Sequence, residues 1–419
     1  MRQTVQTGLV SHLQAGSLGT AAADLCIIGD GIETFALSAL YSAHTTDVTS
    51  ANGSNPPTIK LLGGVVPPHI EFSSLLATID KVIIGQSRPS GQTVNSAYLP
   101  DSGTRVIGKS FEPSESLEGV SQIILSCPAT AYGAVTAKIA AFLYDGMMIA
   151  LVGTPLFGAF QFDFCLRQHR PDLIVNIVEL DDLFDHAERS GDGLALRGLR
   201  RRVNISGRSR NETRRAMPLA SALSPGLLPS SNLLERGLFD VDAMVRPVLV
   251  LSALLGGRIE RLGNLADLLN RSNLGTLAEI ERELSKLTFV YKASVVDFTR
   301  ILREEARANS DFKPIKSDQP RTATEMLAEA VSAASASWFG GLTWTYGLAQ
   351  EVLSRYVGEQ LVLISELGRK ASIAMPVLDS VIDLASAVVG YDLRSQGRTL
   401  AHCGLQDAEL ADLIELLNA

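Results

Sequence analysis

A glycine-containing turn follows the first apolar run of the chain. The sequence GDGIET at residues 29–34 comes directly after the apolar residues 24–28 and begins a segment of helical periodicity. In a GxGxxG loop, the first two glycines permit the tight turn and let the backbone approach a pyrophosphate. Gly29 and Gly31 meet that requirement, and Thr34 stands at the third glycine position. These three are the candidate cofactor-binding residues for NAD(P).

The same turn carries features that oppose a nucleotide. Glu33 places a negative charge at a helix N-terminus, where free N–H groups would otherwise attract phosphate. Thr34 has a side chain where helix and strand must pack closely. We therefore expect the fold of a dinucleotide-binding domain, with NAD(P) binding that is weak or absent. The choice between NAD and NADP stays open, because no acidic residue is clearly placed for a ribose.

Glu179 is a candidate for acid–base chemistry. It ends the apolar run 173–178, and the carboxyl ends of strands line the ligand crevice of an open parallel sheet. A carboxylate there can transfer a proton or orient another group. It can equally be a carboxylate at a helix N-terminus, since Asp181 and Asp182 follow it.

Two arginines could bind a substrate carboxylate. Arg246 lies in an apolar helical segment, and Arg355 lies in a helix before Glu359. Arginine binds carboxylates through two parallel hydrogen bonds, so both are candidate substrate-binding residues. The alternative is a structural ion pair, because a guanidinium among hydrocarbon needs a partner. For Arg246 the available partners are Glu235, Asp240 and Asp242.

Residues 185–215 contain a dense cluster of arginines. The favoured interpretation is a solvated, charged hairpin or linker between domains. The functional alternative is an anion site for a carboxylate or a phosphate.

The apolar runs predict a sheet. Short strands, with helical patterns between several of them, are expected near residues 24–28, 58–65, 82–84, 121–127, 147–152 and 173–178. This alternation is typical of a parallel sheet with helices on both faces. Right-handed crossovers then make the sheet doubly wound.

The pattern changes after residue 210, where strand-like runs end. Helical periodicity continues over residues 275–309, 322–333, 347–372 and 377–389. We predict an α/β fold in which a Rossmann-like, doubly wound domain is followed by an all-α C-terminal domain. The expected division is an N-terminal extension over 1–23, the α/β domain over 24–212 and an all-α substrate domain over 213–419.

Composition excludes several classes of function. Lys and Arg number 37 against 45 Asp and Glu, a formal net charge of −8, which disfavours nucleic acid and anionic membrane surfaces as partners. No apolar run reaches the ~18–20 residues of a membrane helix. The histidines lack metal-ligand spacing, so no metal is expected. The four cysteines form no CxxC pair, which indicates reduced thiols in a cytoplasmic protein.

Segments spread over residues 25–410 resemble the octopine/nopaline (opine) dehydrogenase family. The C-terminal motifs are the most specific. They are RYVGE at 355–359, similar to the family's Arg-Tyr-Leu-x-Glu-Asp-Val-Pro, PVLD at 376–379, similar to Thr-Pro…Asp, and GRTL at 397–400 with GL at 404–405, similar to its Gly-Arg-Thr-Leu…Gly-Leu ending.

Further segments extend the resemblance. Pro128 and Ala129 match a Pro-Ala after the fourth strand, and residues 179–189 resemble Glu-Thr-x-x-Leu-Pro-Tyr-Ala-x-Arg. Residues 234–247 align in register with Leu-Glu-Thr-Ser-Leu-x-Asn-x-Asn-Pro-x-x-His-Pro.

The resemblance implies a fold, an activity and two roles. Enzymes of this family join an amino acid to a keto acid as an imine and reduce it with NAD(P)H, in a cleft between a Rossmann domain and an all-α domain. It implies that Glu179 corresponds to the carboxylate that orients the catalytic histidine. It also implies that Arg355 corresponds to the arginine that binds the substrate carboxylate.

The departures from the family pattern are equally informative. Arg246 replaces the histidine, and arginine cannot lose its proton in a protein. Asp240 and Asp242 replace the two asparagines of the same segment, and Tyr132 replaces the histidine after Pro-Ala. Tyr132 joins Glu179 as a candidate catalytic residue. The hydride-transfer apparatus is thus altered at separate places while the scaffold is kept.

We expect an opine-type enzyme that forms or cleaves the C–N link between an amino acid such as glutamine and a sugar or keto acid. Redox-silent conjugase chemistry through an imine, as in the branch that synthesises sugar–amino acid conjugates, is the first hypothesis. An NAD(P)H-dependent opine dehydrogenase is the second, and a non-catalytic opine-binding protein is the third. The partners are small molecules, and a homodimer is left open.

Overall fold

The computed structural model describes the second half of the chain more completely than the first. It describes residues 25–29, 33–34, 36–38, 40–41, 58–62, 81–87, 93–98, 105–110, 112–184, 186–190, 193–197, 200, 202–224, 226–259, 265–309, 322–335 and 344–419. The predicted extension over 1–23, and Gly31 of the nucleotide turn, lie outside the described residues.

The described strands fall into two sheets. Their bounds are β1 Leu25–Ile28, β2 Thr58–Leu62, β3 Lys81–Ser87, β4 Thr93–Tyr98, β5 Arg105–Ser110, β6 Gln122–Leu125, β7 Met148–Val152, β8 Asn176–Leu180, β9 His186–Ser190, β10 Gly193–Arg197, β11 Val203–Gly207 and β12 Leu227–Pro229.

The main sheet of the described chain has eight strands in the order β12-β11-β8-β7-β6-β1-β2-β5. All neighbouring pairs run parallel except β11 and β8, which are antiparallel. β1, β6 and β7 are apolar and buried, as expected of strands covered by helices on both faces. The predicted α/β fold class, a doubly wound and mainly parallel sheet with a helical C-terminal part, is confirmed.

The second sheet has the order β4-β3-β10-β9. Part of the stretch expected to be loop-rich, β3 and β4, therefore pairs with a hairpin formed by β9 and β10. This hairpin is the first part of the arginine-rich region. The strand expected near residues 82–84 is β3, whereas β4, β9 and β10 were not predicted, because their short and mostly polar sequences show little apolar periodicity.

The helices have the following bounds: α1 Pro113–Leu117, α2 Tyr132–Ile139, α3 Gly158–Arg167, α4 Arg210–Ser221, α5 Leu233–Phe239, α6 Asp242–Leu255, α7 Arg271–Tyr291, α8 Phe298–Asn309, α9 Ala323–Ser335, α10 Tyr346–Leu353, α11 Val362–Lys370, α12 Pro376–Val389, α13 Leu393–Gln396 and α14 Leu410–Leu417. A π-helical segment, Ser354–Leu361, joins α10 to α11 without a break. None of the described helices is both long and apolar enough to cross a bilayer.

Two sequence-based boundaries differ from the structure. β12 joins the main sheet well after residue 210, where strand-like runs were expected to end. Its three residues are too few to show a period. β8 begins at Asn176 and ends at Leu180, so Glu179 lies inside the strand and not after it. The four cysteines are free thiols, and Cys26 and Cys403 are buried.

Candidate functional site

A cleft opens at the carboxyl ends of β7 and β8, where the main sheet meets the π-helical segment. The space between these elements that the centre of a water molecule can occupy is about 20 Å³. The residues around it are Gly153, Thr154, Pro155, Asp181, Asp182, Asp240, Arg355, Tyr356, Glu359 and Gln360. This is the edge at which open parallel sheets bind their ligands.

Gly153 shapes the floor of the cleft. It follows β7 with φ +65°, a conformation that favours glycine. A Cβ atom there would lie 2.2 Å from Asp182 Oδ1. The glycine therefore lets the Asp182 carboxylate lie directly over the backbone turn.

Arg355 is the guanidinium at the mouth of the cleft. Its Nη2 donates to both carboxylate oxygens of Asp182 at 3.2 Å and to the carbonyl of Gly153 at 3.4 Å. The side chain remains 51% exposed, and its guanidinium carbon lies 5.6 Å from the ring centre of Tyr356. Burial opposes ionisation of Asp182, but the nearby arginines, Arg355 first, hold its pKa below the usual value.

The π-helical segment positions several of these side chains. Wide turns of this kind are rare and occur often at functional sites. Arg355, Tyr356, Glu359 and Gln360 all belong to Ser354–Leu361 and all line the cleft. Gln360 fixes the segment by donating to the carbonyl of Gly237 at 2.8 Å.

Arg246 lies beneath the cleft and not on its lining. Its Nη2 donates to Asp242 Oδ2 at 2.6 Å, and its Nη1 donates to the Tyr356 hydroxyl at 3.2 Å. Arg200 donates to the same Asp242 oxygen, also at 2.6 Å. Arg246 is 1% exposed. Arg246 could bind a substrate carboxylate or form a structural ion pair, and in the structure it forms the ion pair. Arg355, in contrast, reaches the cleft.

Glu179 lies in the sheet interior. It is fully buried, its Oε1 accepts from the backbone N–H of Ala159 at 2.7 Å, and its Oε2 pairs with Arg236. Ala159 is in the first turn of α3, so the carboxylate also faces the positive end of that helix. Burial raises the pKa of Glu179, and Arg236 opposes the rise. Glu179 supports the cleft floor from below.

Arg236 was not identified from the sequence. This fully buried residue donates to the carbonyls of Thr154 at 2.8 Å and Pro155 at 3.0 Å, and it pairs with Asp181 at 3.3 Å. It thus ties the loop after β7 to the carboxylates of β8. The signal was present, because Arg236 interrupts the apolar run of α5 as Arg246 interrupts that of α6.

Tyr132 is buried under the same loop. Its hydroxyl hydrogen-bonds Thr154 Oγ1 at 2.7 Å, and its ring packs edge-on against Phe162. Burial raises its pKa well above the usual value, so the hydroxyl stays neutral. The structure therefore brings Tyr132 and Glu179 under the cleft floor, but neither lines the cleft.

Asp240 lines the cleft. From the sequence, it was identified as a substitution and as an available partner of Arg246, but not as a site residue. It caps the end of α5. Burial, together with the negative charges of Asp181, Asp242 and Asp182, raises its pKa from 3.8 to about 7, while Arg200 opposes the rise. Burial likewise raises the pKa of Glu359.

Three described arginines of the 185–215 cluster form ion pairs, whereas Arg214 and Arg215 donate to the side chains of Asn211 and Asn176. Arg208 lies 2.6 Å from Glu212 and 2.7 Å from Asp163, Arg200 pairs with Asp242, and Arg202 pairs with Glu304. These contacts link β11 and its flanking residues to the helices.

The nucleotide turn is described in part. A Cβ at Gly29 would lie 2.7 Å from the carbonyl of Ser126 and 2.4 Å from Thr34 Oγ1, so only glycine fits there. Thr34 is fully buried and its hydroxyl faces Gly29, without a hydrogen-bond partner in the part of the chain that the structure describes. Glu33 is exposed. The bulk of Thr34 is thus accommodated by packing, and the charge of Glu33 remains at the surface.

Comparisons with known proteins agree with this architecture. No family model matches the sequence. The chain is 20% identical over 304 residues to an opine dehydrogenase of Arthrobacter sp. (strain 1C), a match that spans 70% of this chain and 77% of that protein.

Solved structures give the same result. Octopine dehydrogenase in complex with NADH and agmatine superposes with a TM-score of 0.70 at 14% identity, over 94% of this chain and 98% of that one. The same enzyme with NADH and L-arginine gives 0.68. Yersinopine dehydrogenase with NADP⁺ bound gives 0.57 at 13% identity, over 95% and 98% of the two chains.

The fold is therefore that of a Rossmann domain followed by the helical domain of opine dehydrogenases. The chain is similar to opine dehydrogenases in sequence and in fold, and the resemblance found in its motifs is confirmed.

Proposed function

We propose that this protein joins the amino group of an amino acid to the carbonyl carbon of a second small molecule, through an imine, in the cleft between β7, β8 and the π-helical segment. The observation that carries the proposal is the half-exposed guanidinium of Arg355, held over the carboxyl ends of the strands by Asp182 and Tyr356. A relative of the same fold binds L-arginine together with NADH.

Arg355 is suited to bind the carboxylate of the amino acid. Asp182 pairs with only one of its terminal nitrogens, Nη2, so other donors of the guanidinium remain for a ligand. A planar guanidinium then holds a carboxylate by two hydrogen bonds and fixes the direction of the amino group.

The charge of the cleft favours a neutral carbonyl partner. Its lining combines four carboxylates, those of Asp181, Asp182, Asp240 and Glu359, with the guanidinium of Arg355 as the basic side chain among the lining residues. A keto acid would bring a second carboxylate to this acidic surface. A sugar brings hydroxyl groups, which can donate to Asp240 and Glu359. The charge of the lining therefore favours a hexose over a keto acid.

Condensation needs proton transfer but no hydride. The amine attacks the carbonyl carbon, and loss of water from the resulting carbinolamine gives the imine. An aldose imine can then isomerise to a ketoamine by moving the proton on C2 to C1 and the proton of the C2 hydroxyl to the nitrogen, without a change in overall oxidation state. Redox-silent conjugase chemistry is our first candidate, and glutamine is the amino acid we propose to test first.

Reduction of the same imine by NAD(P)H is the second candidate. It is supported by the relatives that carry NADH or NADP⁺ and by Gly29, which keeps the close turn after β1. A bound nicotinamide would supply a hydride. The exposed carboxylate of Glu33 does not fit a pyrophosphate at this helix N-terminus, so we propose that NAD(P) binds weakly or not at all.

The test is to incubate the protein with glutamine and either a hexose or a keto acid, with and without NADPH, and to analyse the products by mass spectrometry. A conjugate that forms without nucleotide, at the summed mass minus one water, supports the conjugase. A product two hydrogens heavier that forms only with NADPH supports the dehydrogenase. Binding of glutamine without any product indicates a binding protein.

A further inference from the structure

We propose that Asp240 is the proton-transfer residue of the cleft, in place of the imidazole that the related motif carries at the position of Arg246. This inference rests on the proposed function and assigns the group that performs its chemical step. It places the acid–base group on the loop between α5 and α6 rather than within α6.

The geometry isolates the Asp240 carboxylate among neighbours that are already paired. Asp181 is bound by Arg236 and by the side chain of Asn204 at 2.6 Å, and Asp182 is bound by Arg355. Within the described part of the chain, no hydrogen bond or ion pair reaches the carboxylate of Asp240, which nevertheless lines the cleft. It is therefore available to a ligand.

The charges facing Asp240 come from every element around it. Asp181 and Asp182 follow β8, Asp242 begins α6, and Arg200 lies before β11. Arg236 of α5 and Arg355 and Tyr356 of the π-helical segment also interact with it electrostatically. Burial, followed by the acidic neighbours, raises the pKa of Asp240 so that both of its protonation states are accessible near neutral pH.

The step balances without a co-reactant. Protonated Asp240 donates its proton to the carbinolamine hydroxyl, the C–O bond breaks, and water leaves as the nitrogen lone pair forms the C=N bond. The Asp240 carboxylate then removes the proton from the iminium nitrogen and is restored to its acid form. The net change is amine plus carbonyl to imine plus water.

Glu281 provides a matched control. Burial and Asp297 raise its pKa to about 7 as well, but it lies on α7, away from the cleft lining. Asp240→Asn removes the proton while keeping the shape, and asparagine is the residue of the motif at this position. Asp240→Ala removes the carboxyl group altogether and allows added formate to replace it.

The experiment measures kcat and KM of the wild type, Asp240→Asn and Glu281→Gln between pH 5.5 and 8.5, with glutamine binding followed by calorimetry. We expect Asp240→Asn to lose at least 100-fold in kcat, to bind glutamine within threefold of the wild type and to lose the inflection near pH 7. Glu281→Gln should keep all three properties. Added formate should raise the kcat of Asp240→Ala at least tenfold over its value without formate.

A smaller loss in Asp240→Asn, or an inflection near pH 7 that persists in it, overturns the assignment while the proposed function stands. The assignment is also overturned if Glu359→Gln shows a large loss of kcat and Asp240→Asn does not. If the wild type forms no product with any amine and carbonyl pair, the proposed function itself fails, and the assignment fails with it.

Discussion

Arg246 donates to Asp242, one helical turn before it, at 2.6 Å, and both side chains are 1% exposed. Arg200 completes the arrangement by donating to the same carboxylate oxygen. A permanent positive charge is thus neutralised locally at the position where the related motif has histidine. Because this guanidinium cannot release a proton, the cleft above it must take its acid–base group from elsewhere.

Arg246→Met should destabilise the fold. It leaves Asp242 buried with one of its two arginine partners, and breaking a buried ion pair costs about 3–5 kcal/mol when no partner remains. We expect a loss of roughly 2–3 kcal/mol in the free energy of unfolding, measured by urea denaturation. Arg282→Met is the control, since Arg282 is 68% exposed in its pair with Glu279 and should lose no more than ~0.5 kcal/mol. A loss below 1 kcal/mol in Arg246→Met would show that Arg200 alone satisfies Asp242.

Gly153→Ala should weaken ligand binding as well as stability. The φ of +65° costs a side chain about 1 kcal/mol, and the added Cβ must displace Asp182 from Arg355. Gly257→Ala separates the two effects, because Gly257 has φ +62° and open space around its Cβ position. Urea denaturation should show a similar loss in both variants, whereas calorimetry with glutamine should show a roughly tenfold weaker affinity in Gly153→Ala only. If both variants bind glutamine with equal affinity, Asp182 does not contribute to ligand binding.

Asp240 should make the fold less stable as pH rises from about 4 to 7. Its pKa is raised from 3.8 to about 7 in the folded state, so in this range the folded protein binds a proton that the unfolded chain releases. Its stabilising contribution is therefore present at acid pH and lost near neutrality. Urea denaturation should show that the free energy of unfolding of Asp240→Asn, relative to that of the wild type, is higher at pH 8 than at pH 5. The expected difference is on the order of 2 kcal/mol. A difference independent of pH would mean that Asp240 titrates normally.

Glu33→Gln should strengthen nucleotide binding. It removes an exposed negative charge at the helix N-terminus while Thr34 keeps its buried packing. A like charge near a phosphate costs about 1 kcal/mol at 4 Å in water, so NADPH affinity should rise roughly fivefold in a calorimetric titration. The control is Glu115→Gln, in the first turn of α1. Micromolar affinity in the unchanged protein would contradict the weak binding that we propose.

The order of strands and helices could be predicted where apolar residues repeat. β1, β6 and β7 are continuous buried runs, and the segment from α10 to α11 matches the helix expected over 347–372. β3 of the second sheet matches the strand expected near residues 82–84. β12 and the other three strands of the second sheet were not predicted, because three residues show no period and mostly polar strands resemble loops. The C-terminal motifs could be interpreted only through the family resemblance, because composition gives them no meaning.

The sequence predicted the residue types of the site, but not which of those side chains are buried and which are exposed. Arg246 and Arg355 look alike in sequence, yet one is 1% exposed and the other 51%. That difference depends on how α6 packs beneath Tyr356. The importance of Asp240 likewise depends on three carboxylates that converge from β8 and α6, and no sequence spacing shows their convergence.

The most direct test of the central claim measures initial rates of C–N product formation with glutamine and a hexose, without NADPH, for the wild type and Arg355→Met. Arg369→Met is the control, because Arg369 is 63% exposed, pairs loosely with Glu366 and lies outside the cleft lining. The account predicts a conjugate from the wild type, a KM for glutamine at least tenfold higher in Arg355→Met, and an unchanged KM in Arg369→Met. An unchanged KM in Arg355→Met, or a wild type that forms product only when NADPH is present, would contradict it.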